Sequence, residues 1–308
     1  MPVKRICLYC LLLLAFFAIN VRSAETEKTN KSIAVIAFEN TMKDENLDWI
    51  GVGFSETITT KLAHVKTLVV VERRHIEKAL QEMELGSTGL VDDKTAQHAG
   101  KMIGAQYLLV GSFQKFDAST GALLMVNSRI MEVETSQIFE TFMIRGKYDD
   151  MFDLQEQLAL KVSALLDIPL TVEEKSKLAE TESASLKAYE YFYRGKHASD
   201  IDEKIGLYEQ AIEIDPQYVY ALTNLGSLYY VKSMDGDRSM LNKAKDLCTK
   251  ALDIDPLHAD AHYVLGSVYD RQNKKKNALQ HLNSFLQLMP DDPRVPRVKR
   301  RIEKLESD

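Results

Sequence analysis

Few residues in this chain have a type and spacing that could do chemistry, and none of the sets is complete. Cys7 and Cys10 form a C-x-x-C, the spacing of a redox pair, but they sit inside an apolar run from Ile6 to Ile19 that precedes any fold. His258 and His262 are four apart and would share a helix face as two metal ligands. No third ligand joins them, and His262 falls on a packing position of the repeats described below. Gly51-Val52-Gly53 has the look of a phosphate loop but lacks the third glycine and stands far from the preceding strand, so a packing role at a helix start is expected. His75, beside Arg73 and Arg74, has no nucleophile motif near it. Cys248 falls on an inward position and reads as a small buried apolar residue. No catalytic, cofactor or metal residue is assigned, and no cofactor is expected.

The elements around these residues explain most of them. Lys4 and Arg5, the apolar run and Val21-Arg22-Ser23-Ala24 follow the plan of a secretory signal peptide cleaved near Ser23. The run is too short to cross a bilayer as a helix. Neither cysteine follows the small residues that precede a lipidated cysteine. Cleavage would remove both and leave Cys248 alone, so no intrachain disulfide could form. Losing Lys4, Arg5 and Arg22 turns 39 basic residues into 36 against 45 acidic ones, a formal charge near −9, which argues against nucleic acid as partner.

Residues 24–31 read as a polar lead-in. From Ser32 to Phe38 a β-branched apolar run is a strand buried on both faces. Ile50, Phe54, Ile58 and Leu62 mark a helix face, and Leu68–Val71 reads as a second strand. Ile76, Leu80 and Met83 mark a second helix, and Ala96, Ala99 and Ile103 a third. Tyr107–Val110 is the third strand, and 122–133 and 137–145 alternate as a hairpin around Glu134-Thr135-Ser136. Leu154, Leu158, Val162 and Leu165 give a closing helix, stopped by Pro169. The order implies a mixed sheet covered by helices, an α/β domain over 30–166. Residues 167–184 are charged, lack periodicity and are read as a linker, so the parts on either side are expected to fold separately.

Gly51 to Leu62, Val70-Val71-Glu72-Arg73, Ser87 to Asp92 and Gly104 to Ser112 resemble, in collinear order, the CsgG-like family of curli secretion components and the related FlgO-like and TolB N-terminal-like domains. That resemblance implies a bacterial envelope protein, often associated with the outer membrane. Pore-forming members are lipoproteins with long inserted hairpins. Here no lipidation cysteine is seen, and strands join by turns as short as Asp117–Gly121, which leaves no room for membrane strands.

The C-terminal third is repetitive. Asp215-Pro216, Asp255-Pro256 and Met289-Pro290 follow three helical runs, and the last two prolines have the spacing of the tetratricopeptide repeat (TPR). Leu265-Gly266, Tyr269 and Ala278 meet that pattern, with Phe285 in place of a small alanine. Leu225-Gly226, Tyr229, Ala244 and Ala251 meet it again, with extra residues placed around Val231–Arg238. Tyr208 and Ala211 belong to a degenerate first unit with a short helix near Leu186–Lys196. An all-α TPR solenoid over 185–290 follows, capped by an amphipathic helix over 291–308 (Val295, Val298, Ile302, Leu305) that carries a basic run from Arg294 to Lys304.

Helical phase puts Leu222, Leu225, Gly226 and Tyr229 inside. It assigns Tyr220, Thr223, Ser227 and Tyr230, and in the next repeat Asp260, Tyr263, Ser267 and Asp270, to a protein-binding groove. The chain thus reads as a non-enzymatic periplasmic adaptor or scaffold of the cell envelope. Its partners would be envelope proteins or peptides, with peripheral outer-membrane association open and the basic helix facing either lipid or protein. The alternatives are a subunit of a CsgG-like secretion complex and an uncharacterised hydrolase.

Overall fold

The computed structural model describes residues 31–71, 75, 76, 78, 79, 93–119 and 121–307. The signal-peptide expectation lies outside these residues, as do Leu80 and Met83.

The first strands follow from their sequence. β1 (Lys31–Val35) and β2 (Glu39–Asn40) lie parallel to β4 (Tyr107–Ala118), with Ile33 opposite Tyr107 and Glu39 opposite Ser112. β4, β5 (Gly121–Glu132) and β6 (Ile138–Lys147) form an antiparallel meander, and β3 (Leu68–Val70) closes the far side in the order β3-β1-β4-β5-β6. The sheet is mixed, as expected. The third strand runs eight residues past Val110, because the alternation that begins there keeps Phe113 inward.

Strand alternation sorts the core into two layers. On one face Val35, Leu109, Phe113, Val126 and Ile130 pack with Phe54, Ile58 and Leu62 of α1 (Asp48–Ala63) and with Leu154, Leu158 and Val162 of α3 (Met151–Leu165). On the other, Ala34, Ile36, Leu108 and Val110 meet Ile76, Ala79 and the alanines Ala96 and Ala99 of α2 (Asp93–Met102).

The stretch 167–184 differs from a free linker. It carries α4 (Val172–Ala179), started by a capping box in which Thr171 and Glu174 bond each other's backbone N–H. Leu178 is fully buried, and Glu174 accepts from Lys66 N at 2.9 Å. Only these two side chains turn inward, too few to show as a period. Beyond it, α5 (Leu186–His197) pairs with α6 (Ile201–Ile214), α7 (Val219–Lys232) with α8 (Arg238–Ile254), and α9 (Ala259–Arg271) with α10 (Lys275–Leu288), followed by α11 (Val295–Ser307). Gly226 and Gly266 are where paired helices touch: a Cβ at Gly226 would stand 2.5 Å from Cys248 Sγ, and one at Gly266 2.7 Å from Leu282. The extra residues of the second unit form a short turn ending at Gly236 (φ 96°), held by Arg271 Nη2 on the carbonyl oxygens of Ser233 and Met234.

One hydrophobic core runs without a break from Ile33 through Leu178 and Tyr189 to Val268. The expectation of two separate cores, based on a stretch of few apolar residues, misses the aromatic side chains of α5 that bridge it.

Candidate functional site

The bridge is built on α1. Its stripe of Ile50, Phe54, Ile58 and Leu62 faces the sheet, which leaves Trp49, Gly53 and Thr57 on an adjoining flank. Tyr189 of α5 lies there, its ring edge-on to Trp49 at 6.0 Å and to Phe152 at 5.2 Å. A Cβ on Gly53 would come within 2.8 Å of the Tyr189 hydroxyl, so the close approach requires glycine.

A polar network fills the seam. The Tyr189 hydroxyl accepts from Gln155 Nε2 at 2.8 Å and lies 2.9 Å from Thr57 Oγ1. Thr57 donates to Glu182 Oε1 at 2.8 Å, and Tyr193 and Tyr218 donate to Oε2 at 3.0 and 3.4 Å. Burial raises the Glu182 carboxyl above its usual range, against the pull of these hydroxyls, and holds the three tyrosines well above theirs. Lys61, 4% exposed, donates to the carbonyl oxygens of Leu178 and Glu180, and burial lowers its pKa. Lys196 pairs with Glu56 at the rim. Buried polar groups of this kind are satisfied in only one relative placement of the elements, so the network fixes how the sheet domain meets the repeats.

Beside the seam is a cleft of about 450 Å³. Thr57, Thr60, Lys61 and His64 of α1 form one wall, Lys177, Glu180, Thr181 and Glu182 the floor, and Val219 and Tyr220 of α7 with Asp255, Leu257 and His258 the other wall. Tyr220 stands edge-on to His258 at 5.1 Å, and Leu257 is 72% exposed at the lip. Burial pushes the Tyr220 hydroxyl up and the His258 imidazole down, so both are neutral at pH 7. A large ring, an exposed leucine and several hydroxyls in a concave setting suit a peptide or protein segment.

The expected groove residues fall into three groups. Tyr220 lines the cleft, and Ser227 and Tyr230 are partly exposed on the same helix. Thr223 and Ser267 are buried, at 2% and 1% exposure, because neighbouring first helices of the repeats pack flank to flank, and so they offer no surface. Asp260, Tyr263 and Asp270 are held by the chain's own last helix. Arg294 pairs with Asp260 at 2.6 Å and lies 4.8 Å over the Tyr263 ring, while Arg301 bonds Asp270, Ser267 Oγ and the Tyr230 side chain. Two arginines of the basic run therefore tie α11 down. Arg297, Lys299, Arg300 and Lys304 are exposed.

The other candidates are packed. His262 Nδ1 faces His281 Nδ1 at 2.9 Å, with His262 Nε2 at 3.1 Å from the Pro256 oxygen. Cys248 is fully buried against Gly226, and its thiol is pushed up to about 12. Gly51 lies under the Phe38 carbonyl. Among the described residues no group of three or more His, Cys, Asp or Glu is placed to hold a metal ion, and no helix is long and apolar enough to cross a membrane. Sequence reasoning missed Tyr189, Glu182 and Lys61. The only signal was the aromatic density of Tyr189, Tyr191, Phe192 and Tyr193 in a helix too degenerate to need it.

Residues 16–151 match the family of the curli production assembly/transport component CsgG, and residues 237–302 match a tetratricopeptide repeat family. The chain is 23% identical over 246 residues to "Putative adenylate cyclase 3" of Rhizobium meliloti (strain 1021), covering 76% of this chain and 39% of that protein. It is 30% identical over 101 residues to "Protein bimA" of Emericella nidulans, covering 31% of this chain and 11% of that one. It thus spans less than two thirds of either relative. Similar solved structures include the first TPR of Spaghetti (RPAP3) bound to the HSP90 peptide SRMEEVD (TM-score 0.35, 20% identity, 40% of this chain and 95% of that). The LpoB C-terminal domain from Escherichia coli (0.32, 17%, 42% and 93%) and lipoprotein GNA1162 from Neisseria meningitidis (0.33, 14%, 46% and 99%) are others.

Proposed function

We propose that the protein is a non-enzymatic adaptor of the bacterial cell envelope, exported to the periplasm, which holds a segment of a partner protein in the cleft between its CsgG-like domain and its repeats. The observation that carries this reading is the seam around Tyr189. A flexible junction would present two independent surfaces, whereas this one gives a single cleft with a wall from each part. The CsgG match supports the envelope setting, and the TPR match supports binding protein rather than nucleic acid. Aromatic anchors in concave sites dominate such interfaces. Tyr220→Ala is expected to weaken capture of the partner by about tenfold, the effect of an anchor worth on the order of 1.4 kcal/mol. Tyr263→Ala, under Arg294, should change it little. Equal capture by the folded Tyr220→Ala protein would reject the cleft.

A further inference from the structure

The hydroxyls of the seam form a chain with one direction. Gln155 Nε2 donates to the Tyr189 hydroxyl, Tyr189 to Thr57 Oγ1, and Thr57 to Glu182 Oε1. Tyr193 and Tyr218 donate to the other carboxylate oxygen. Tyr189 and Thr57 each carry one proton and can pass it either way, so the two ends of the chain set its direction. One end is the Glu182 carboxylate, which only accepts. The other is a side-chain amide, which can present a donor or an acceptor. Gln155 is fully buried, and its Oε1 has no hydrogen-bond partner among the described residues, so turning the amide over breaks nothing on its far side.

We infer that Glu182 takes up a proton in the folded protein and that the chain of hydroxyls then runs backwards, which makes the junction between the sheet domain and the repeats firmer in acid than in base. Protonated at Oε1, the carboxyl donates to Thr57 Oγ1, Thr57 to the Tyr189 hydroxyl, and Tyr189 to Gln155 Oε1 with the amide turned over. Tyr193 and Tyr218 still donate to Oε2. Both states keep every hydrogen bond of the network and differ by one buried negative charge. The groups around the carboxyl leave that difference standing. Glu56 on α1 repels the ionised form, and Lys196 on α5, which favours it, is paired with Glu56. Lys61 on α1 is engaged by the carbonyl oxygens of Leu178 and Glu180, and Lys177 on α4 is paired with Glu180. Tyr218 and Tyr220 at the start of α7 are neutral phenols, and Asp255 and His258 stand on the far wall of the cleft. Burial therefore decides, and it raises the carboxyl above its usual range. An acid raised in this way contributes stability at low pH, and the contribution is lost as pH rises from the unfolded value through the folded one. Thr57 lies on α1, Gln155 on α3, Tyr189 and Tyr193 on α5, and Glu182 between α4 and α5. One proton thus acts on every element that meets at the seam, whatever the cleft binds.

The seam carries its own reporter. Trp49, the one tryptophan of the chain, is 2% exposed and edge-on to Tyr189. In the full-length protein, Trp49 emission followed from about pH 5 to about pH 9 is expected to show a step whose midpoint lies above the ordinary glutamate value. Glu182→Gln, close in shape and never charged, should lose the step. Gln155→Met should keep it at a lower midpoint, because Tyr189 then has no acceptor in the protonated state. The infrared carbonyl band of a protonated carboxyl should fade through the same step in the natural chain and be missing from Glu182→Gln. In denaturant titrations the natural chain should gain on Glu182→Gln as pH falls through that midpoint. A titration without a step, a step that survives in Glu182→Gln as one carried by a histidine would, a Gln155→Met midpoint equal to the natural one, or a stability gap that ignores pH would each overturn the inference.

Discussion

The ring of Tyr189 lies against Gly53, and no side chain can be added to that glycine without meeting the tyrosine hydroxyl. Because α1 carries the sheet domain on one flank and this contact on another, the pair sets the angle between the two halves of the molecule and hence the width of the cleft. Gly53→Leu should therefore cost about 1–3 kcal/mol by overpacking. Denaturant titration would show it, together with a second transition as the halves uncouple. A single unchanged transition would mean that the seam yields easily.

The shared core makes a related forecast about fragments. A chain ending at Leu166 would leave Trp49, Gly53 and Thr57 uncovered and Lys61 without its carbonyl partners. It should bind hydrophobic dyes and melt well below the whole protein, while limited proteolysis of the whole should spare 167–184. Rapid cutting there, with a stable N-terminal fragment, would contradict the packing.

Gly226 lies where α7 touches α8, and Cys248 Sγ already occupies the space beside it. Gly226→Leu should lower stability by about 1–3 kcal/mol. Combining it with Cys248→Ala should recover only part, since Ala244 O remains 3.3 Å from the new Cβ. An unchanged denaturation midpoint would undo the helix register of the second repeat.

The third repeat should weaken in acid. Burial, with the neighbouring His262, lowers His281 from 6.5 to about 4. A base whose folded pKa is depressed contributes stability above its unfolded value, and that contribution is lost as pH falls from about 6.5 towards 4. Discounted for solvent at this half-buried site, the loss between pH 7 and pH 5 should be on the order of 1 kcal/mol. Melting curves of His281→Gln against the natural chain over that range would test it, the variant being flatter. Parallel curves would show that His281 does not titrate with folding.

What was legible in the sequence was whatever repeats or alternates. The buried strand at Ile33, the hairpin around Thr135, the prolines at 216, 256 and 290 and the glycines at 226 and 266 each carry a period or a steric demand that survives without neighbours. The seam carries neither. Trp49, Gly53 and Thr57 are one large, one absent and one polar side chain, which no hydrophobic stripe reveals, and α4 turns only Glu174 and Leu178 inward. Helical phase placed Tyr220, Tyr230, Tyr263 and Asp270 on one flank of the repeats. Phase cannot say that Arg294 and Arg301 would cover part of that flank, because both look like members of a solvated basic run.

The central claim is that both halves of the molecule touch one partner in one cleft. A photo-crosslinking side chain placed at Thr60 on α1 and, in a second protein, at Tyr220 on α7 tests it in the native envelope. The account predicts the same crosslinked partner from both walls, lost from both when Gly53→Leu is added. Different partners from the two positions, or crosslinks only from sites outside the cleft, would contradict it.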